Sequence, residues 1–226
     1  LLLSGGRGTR LKSVLKNKQK TLVKINGKPF LSKILDQLNK SRIKDVIICS
    51  GFKSDQVELE YGNTYKNLNV QYSKEDYPLG TGGAVRLGVD KHNSEWSLIL
   101  NGDSYINLKI DHFINSALNS KAKISVCLVK VGNISRFGKV NILNDKIIGF
   151  EEKSGEEKPG LVNAGIYLIK TKFLKKIVKN KKVSIEKEFF TKYINNKIYG
   201  YVSESPFIDI GTPDSLSKAE LFFKHL

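Results

Sequence analysis

Leu1-Leu2-Leu3-Ser4-Gly5-Gly6-Arg7-Gly8-Thr9-Arg10-Leu11 reads as the end of a buried strand that runs straight into a glycine-rich loop. Glycines at positions 5, 6 and 8 let backbone N–H groups come close to an anion. Two familiar phosphate-binding fingerprints fail here. A dinucleotide loop needs a third glycine where Leu11 stands, and a Walker A loop needs Gly-Lys-Ser/Thr at its end. What remains is Gly5-Gly6-x-Gly8-Thr9-Arg10-Leu11, with Lys20 and then Gly27-Lys28-Pro29 downstream. Arg10 offers a planar fork for phosphate oxygens and Lys20 a compact point charge. A plain strand-to-helix turn with two solvated cations is the competing reading of this stretch alone. The start of the strand, with the initiator Met, is expected to lie before Leu1.

Downstream, residues 29–40 carry Phe30, Ile34, Leu35 and Leu38 at helical spacing, with Pro29 suited to a first turn. Residues 45–50 and 96–101 are short apolar runs, each closed by glycine, and a second helical pattern follows Gly83 through Ala84, Val85, Leu87 and Val89. Strand–helix–strand alternation of this kind predicts an α/β fold with helices on both faces of the sheet. In such sheets ligands sit beyond the carboxyl ends of the strands. The second half differs. Segments 123–131, 139–143 and 146–152 are β-rich, with Asn144-Asp145 as a tight turn between the last two, and predict an antiparallel β insertion. A further strand is expected at 162–169 and a closing helix at 213–223. The whole is expected to be a single Rossmann-like domain, residues 1–226, around a mixed, mainly parallel central sheet.

Composition narrows the classes. The chain of 226 residues has a 40% hydrophobic share, enough for a full core. No apolar run approaches the roughly 20 residues that span a bilayer, and no signal-peptide pattern leads the chain. Cys49 and Cys127 are the two cysteines, both in apolar stretches, so a disulfide framework is not expected and a reducing cytoplasm is. The net charge of +16 could point to nucleic acid or an anionic membrane. The positive residues are nearly all Lys, spread along the chain beside abundant Asn and Ile, without basic clusters interleaved with aromatics. That is the signature of a genome poor in G and C, and neither nucleic acid nor membrane is an expected partner. The sequence leaves a homo-oligomer open.

Two carboxylates stand out. Asp103 ends an apolar strand beside Gly102, which is expected to open space for a ligand, and Asp209 lies within Phe207-Ile208-Asp209-Ile210-Gly211. A lone Asp at a strand end is commonly a cap or turn former. Two embedded in apolar strands call for a cation, because burying an unpaired carboxylate is costly, and Mg²⁺ takes a few carboxylates plus phosphate oxygens.

The stretch Gly5-Gly6-x-Gly8-Thr9-Arg10-Leu11…Lys20…Gly27-Lys28-Pro29 resembles the signature of the sugar-1-phosphate nucleotidyltransferase family. The resemblance continues in order through Leu79-Gly80-Thr81-Gly82-Gly83-Ala84, Asn101-Gly102-Asp103, Phe150-Glu151-Glu152-Lys153, Asn163-Ala164-Gly165-Ile166-Tyr167 and Asp209-Ile210-Gly211-Thr212-Pro213, and so covers essentially the whole chain. The run Leu-Gly-Thr-Gly-Gly-Ala and the short chain are similar to the branch containing D-glycero-α-D-manno-heptose 1-phosphate guanylyltransferases. Mannose-1-phosphate guanylyltransferases are close neighbours, and Ser184-Ile185-Glu186-Lys187-Glu188 resembles a run found in them. Family members usually carry Pro on both sides of the Lys matching Lys20; here Gln19 and Thr21 stand instead, and a less rigid loop is expected. With no β-helix sequence after Phe223, a bifunctional acyltransferase form is not expected.

The resemblance implies an Mg²⁺-dependent enzyme that joins a nucleoside triphosphate to a sugar 1-phosphate and releases pyrophosphate. Its branch implies GTP and the heptose 1-phosphate, with mannose 1-phosphate or another hexose 1-phosphate left open. The resulting nucleotide sugar would serve lipopolysaccharide or capsule biosynthesis. It further implies catalytic roles for Arg10, Lys20, Asp103 and Asp209, with the metal on Asp103 and Asp209. Ser4, Gly5, Gly6, Gly8, Thr9, Leu79, Gly80, Thr81 and Gly82 would bind the nucleotide. Gly138, Glu152, Lys153 and Asn163 would bind the sugar phosphate, while Glu186 could equally cap or pair locally. His92, His112 and His225 fall in no motif, in keeping with chemistry that needs no proton shuttle. A non-catalytic nucleotide-sugar-sensing domain is the alternative of another class; it would be expected to lose Arg10, Asp103 or Asp209, and all three are present.

Overall fold

In the computed structural model, which describes residues 1–11, 15, 17–194 and 198–226, the opening leucines form a two-residue strand, β1 (Leu2–Leu3). A small hairpin follows, β2 (Lys24–Ile25) and β3 (Lys28–Pro29). Asn26 and Gly27 close it at φ of 50° and 78°, the left-handed pair that a tight Asn-Gly turn requires. Helix α1 (Phe30–Asn39) buries Phe30, Leu31, Ile34, Leu35 and Leu38 on one side. Pro29 does not enter its first turn, as the sequence predicts, but ends β3 in extended backbone as the N-cap residue.

The alternation continues through β4 (Asp45–Ser50), α2 (Ser54–Tyr61), β5 (Thr64–Tyr65), β6 (Leu68–Lys74), α3 (Gly80–Gly88) and β7 (Trp96–Asn101). After β8 (Ser104–Ile106) and α4 (Ile110–Asn119) the chain turns largely antiparallel, through β9 (Ile124–Val131), β10 (Val140–Leu143), β11 (Lys146–Phe150) and β12 (Gly160–Lys170). The expected tight turn joins β10 to β11, with Asn144 and Asp145 both at positive φ. Strands β13 (Ile198–Ser203) and β14 (Phe207–Asp209) and the helix α5 (Pro213–Phe222) complete the fold.

Among the described residues, ten strands form one sheet in the order β10-β11-β13-β9-β12-β7-β1-β4-β6-β5. β1, β4, β6, β7, β9, β10 and β13 run one way; β5, β11 and β12 run against them. The sheet is therefore mixed and mainly parallel in direction. Side chains alternate across it: Val162, Ala164, Ile166 and Leu168 of β12 enter one core, Tyr167 and Ile169 the other. The first core is covered by α1, α2, α4 and α5, the second by α3 and the segment Ile185–Phe190. β14 pairs separately with β8 in a small antiparallel ladder that sets Asp209 opposite Ser104. Among the described residues no helix is long and apolar enough to cross a membrane.

Candidate functional site

The parallel strands β1, β4 and β7 end together, and the loops leaving them carry most of the predicted residues. Ser4 N donates to Cys49 O at 2.8 Å, which pins the start of the glycine loop to the end of β4. A Cβ on Gly6 would meet nothing within 4 Å, so its backbone faces open space, as a phosphate cradle needs. Gly8 is required for another reason: its φ is +59°, and a Cβ there would strike Leu15 Cδ1 at 2.6 Å. Gly102 borders the first cavity and also meets a packing need: its missing Cβ makes room for Leu3 O, 2.3 Å from where that atom would stand, so two strand ends can approach closely.

Lys20 is carried on a short 3-10 turn, and the loss of the flanking prolines does not loosen it. Gln19 is fully buried; its amide donates to Ser4 O while its Oε1 accepts from Thr21 N at 2.5 Å and Thr21 Oγ1 at 2.6 Å. Thr21 Oγ1 also meets Ser4 Oγ at 2.8 Å, and Gln19 N donates to Gln56 Oε1 at 2.8 Å. A buried hydrogen-bond network thus does what ring stiffness would have done. Lys20 Nζ reaches Asp103 Oδ2 at 2.6 Å.

Around these loops lies a cavity of about 600 Å³, lined among others by Ser4, Gly5, Gly6, Lys20, Gly80, Thr81 and Asp103. Its far wall is the first turn of α3, which begins at Gly80 rather than after Gly83. That turn is tied to the following segment by Val183 N donating to Leu79 O (2.9 Å), Gly82 N to Val183 O (2.8 Å) and Ile185 N to Thr81 Oγ1 (2.9 Å). Gly8, Thr9, Leu79 and Gly82 are not among the lining residues; Leu79 is buried, and a Cβ on Gly82 would meet Val183 Cγ1 at 2.9 Å, so these two shape the wall from behind. Arg10 is exposed on the turn Thr9–Leu11 and lines neither this cavity nor the next, although its charge acts on Lys153.

A second cavity of about 310 Å³ adjoins the first and shares Asn101, Asp103 and Glu186 with it. Gly138, Glu152, Lys153 and Asn163, the predicted sugar-phosphate residues, all line it, as does Asp209. Ile210 N donates to Asp103 O at 2.9 Å, so the β8–β14 ladder brings the two aspartates onto adjacent backbone. Asp209 is held by Arg136 Nη2 at 2.7 Å and by Gly211 N at 2.8 Å. Burial, and after it the Arg10 charge, lowers the Lys153 ammonium below its usual range. As a whole residue Lys153 is exposed, and no carboxylate lies within ion-pair distance of it among the described residues, which leaves its charge available to an anion. Glu152, by contrast, pairs with Lys187 of the same cavity lining at 2.7 Å.

The two aspartates fit a hard divalent cation. Both line the second cavity, Asp103 Oδ1 has no partner among the described residues, and each carboxylate is paired with a side-chain cation, Asp209 also accepting from Gly211 N. Two carboxylates leave the remaining positions to water and phosphate oxygens, which suits Mg²⁺.

Two lining residues, Glu75 and Glu186, and the Asp209 partner Arg136 escape the sequence reading or are left open by it. Glu75 lies against Gly5 and Gly51, accepts from Leu79 N at 3.0 Å, and is raised above the usual carboxylate range by burial. Arg136, two positions before Gly138, carries no motif of its own and is found only through its bond to Asp209. Glu186, also raised by burial, enters both cavities rather than capping its own segment; Ser184 does the capping.

Fold and site together present two adjoining cavities that meet at Asp103, one bordered by a glycine loop at a strand end and the other by Lys153 and Asp209. The chain belongs to the nucleotidyl transferase family, whose pattern it matches over residues 1–225. It is 34% identical over 226 residues to D-glycero-alpha-D-manno-heptose 1-phosphate guanylyltransferase of Aneurinibacillus thermoaerophilus, covering 100% of this chain and 98% of that one. It is 30% identical over 219 residues to mannose-1-phosphate guanylyltransferase of Mycobacterium tuberculosis, covering 95% of this chain and 61% of that one. Among solved structures, HddC from Yersinia pseudotuberculosis complexed with GMP-PN superposes with a TM-score of 0.86 at 30% identity, covering 98% of this chain and 97% of that one.

Proposed function

We propose that this protein transfers the guanylyl group of GTP to D-glycero-α-D-manno-heptose 1-phosphate and releases pyrophosphate. The carrying observation is the junction at Asp103, where a cavity lined by the glycine loop and α3 opens into one lined by Lys153 and Asp209. Support for the guanine and heptose choices comes from the full-length similarity to a heptose 1-phosphate guanylyltransferase. Glu75 adds to the guanine choice. A half-buried carboxylate is an acceptor, and guanine presents N1–H and an exocyclic amine side by side, whereas uracil and thymine flank one N–H with two carbonyls. Mannose 1-phosphate is the second reading, favoured by the similarity to the mycobacterial mannose-1-phosphate enzyme.

A phosphate oxygen of the sugar 1-phosphate attacks the α-phosphorus of GTP; the new O–P bond forms as the bond to the β-phosphate oxygen breaks, and pyrophosphate leaves with that electron pair. The nucleophile is already an anion, so no base is needed and catalysis is positioning and charge neutralisation. The open backbone at Gly6 would receive the leaving phosphates, with Arg10 at the rim. Lys20 would balance charge on the transferred group, and Lys153 would hold the incoming sugar phosphate. Mg²⁺ held by Asp103 and Asp209 would supply the charge neutralisation that brings two polyanions together. The test is a matrix of GTP, UTP, CTP and dTTP against heptose, mannose and glucose 1-phosphates with Mg²⁺, read as pyrophosphate release. GTP with the heptose 1-phosphate is expected to be fastest; silence across the matrix would transfer the chain to the sensing reading.

A further inference from the structure

Glu186 stands where the two cavities join and lines both. It comes from a π-helical segment, Ile185–Phe190, whose N-cap Ser184 accepts from Lys187 N. Its Oε1 accepts from Asn163 Nδ2 at 3.0 Å and from Tyr167 Oη at 3.3 Å. The orientation of Asn163 is settled by Gly165 N, which donates to Oδ1 at 2.9 Å and so turns the amine toward Tyr167 Oη, 2.8 Å away, and toward Glu186. A primary amide has two hydrogens, and both are spent inside the protein. Asn163, which the resemblance marks as a sugar contact, therefore has no hydrogen left to donate and acts as a holder. Glu186 Oε2 has no partner among the described residues.

The chemistry of that free oxygen limits what can meet it. It would repel the phosphates of either substrate. The nearby side-chain cations are engaged or assigned: Lys20 pairs with Asp103, Arg136 with Asp209 and Lys187 with Glu152, while Lys153, whose charge acts on Glu186, is the group given above to the sugar phosphate. A neutral donor remains, and the second cavity, which Glu186 shares with Lys153 and Asn163, is where the sugar ring would sit if Lys153 holds its phosphate. We propose that Glu186 is the sugar-selecting residue, its open carboxylate oxygen accepting from ring hydroxyls while Asn163 and Tyr167 hold the other oxygen in place. The inference rests on the sugar-1-phosphate reading above.

The test measures pyrophosphate release by the full chain and its Glu186→Ala and Glu186→Gln variants, with GTP and the accepted sugar 1-phosphate varied in turn. A hydrogen bond to a charged acceptor corresponds to about ten- to hundredfold in affinity, so Glu186→Ala should raise KM for the sugar 1-phosphate by about that factor and KM for GTP by less than about threefold. Singly deoxygenated analogues of the same sugar 1-phosphate give the second readout. One of them should cost the wild type as much as the substitution does, and cost Glu186→Ala nothing further. Glu186→Gln keeps an acceptor for Asn163 and Tyr167 and carries the test if the Ala variant does not fold. An unchanged sugar KM, a parallel rise in both KM values, or an undiminished penalty for every deoxy analogue in the variant overturns the assignment of Glu186 alone. A wild type that releases no pyrophosphate with any sugar 1-phosphate overturns the parent reading, and this inference with it.

Discussion

The first cavity is rich in glycine, with five in its lining, whereas the second has Gly138 alone and several paired side chains. In the first, which we assign to GTP, the walls include strand ends, glycines 5, 6, 51, 80 and 102, and the opening turn of α3. In the second, which we assign to the sugar 1-phosphate, lining side chains are paired: Glu152 with Lys187, Asn163 with Glu186, and Asp209 with Arg136 behind it. Main chain set by a sheet presents the same groups whatever residues surround it, which suits a triphosphate common to many reactions. Side-chain pairs can be exchanged one at a time, which suits a pocket that must tell one sugar from another. Asp103 belongs to both sides.

The severest way to break this division is to remove the shared group. Asp103→Ala should lower kcat/KM by a factor on the order of 10³ or more, since charge neutralisation is most of the catalysis. The Asp103 side chain is 45% exposed, so thermal melting should stay within a few degrees of wild type. Pyrophosphate release within about tenfold of wild type would remove both the metal assignment and the idea of a common junction.

A pair of substitutions tests the two sides separately. Lys153→Ala should raise the sugar 1-phosphate KM about ten- to hundredfold and leave the GTP KM nearly unchanged. Gly80→Ala should do the reverse, raising the GTP KM about tenfold or more through displacement of the loop. Its φ of +70° disfavours any Cβ, and that atom would stand 2.7 Å from Val183 O. If each substitution moved both KM values equally, the cavities would act as one site.

The same contrast explains what could be read in advance. Strands 45–50 and 96–101 and helix α1 were legible because their apolar residues recur within one short stretch. So was the glycine loop, whose chemistry is local. Helix α2 was not, since only Val57 and Tyr61 of its residues are buried and no stripe forms. Arg136 and Asp209 are 73 positions apart, Lys20 and Asp103 are 83, and such pairs come from the sheet order rather than from any pattern in the chain. Glu186 is a further case: the run around it was visible, but its entry into the cavity depends on Asn163 and Tyr167 across the sheet. The replaced prolines beside Lys20 show the converse, because a departure from the family pattern became a different support once Gln19 was buried.

That support gives a smaller effect. Gln19→Ala would leave Ser4 O and Thr21 N buried without their side-chain partner, a loss of about 1–3 kcal/mol, seen as a melting point lower by several degrees. Because Lys20 rides on this turn, kcat should fall by less than in Asp103→Ala. An unchanged melting point would mean that Thr21 and Ser4 hold the loop without Gln19.

The smallest expected effect is also the one that places a reporter under each side. Cys49 ends β4 beneath the glycine loop, and Cys127 lies in β9 beneath the second half of the sheet. Burial pushes the first thiol up to about 11 and the second to about 12, both above the ordinary value of 9.0. A thiol raised in the folded state contributes a constant amount to stability below its unfolded pKa. That contribution is lost as pH climbs through the folded one, so stability should be flat with respect to these groups up to about pH 9 and fall above it. Since the thiolate is the reactive form, native protein at pH 8 should resist alkylation at both positions, with activity untouched, while the denatured chain takes up reagent at each. Labelling under rising denaturant then distinguishes the halves. Simultaneous modification means that the glycine-rich side and the side of paired side chains unfold as one unit, and earlier modification of Cys127 means that the side of paired side chains opens first.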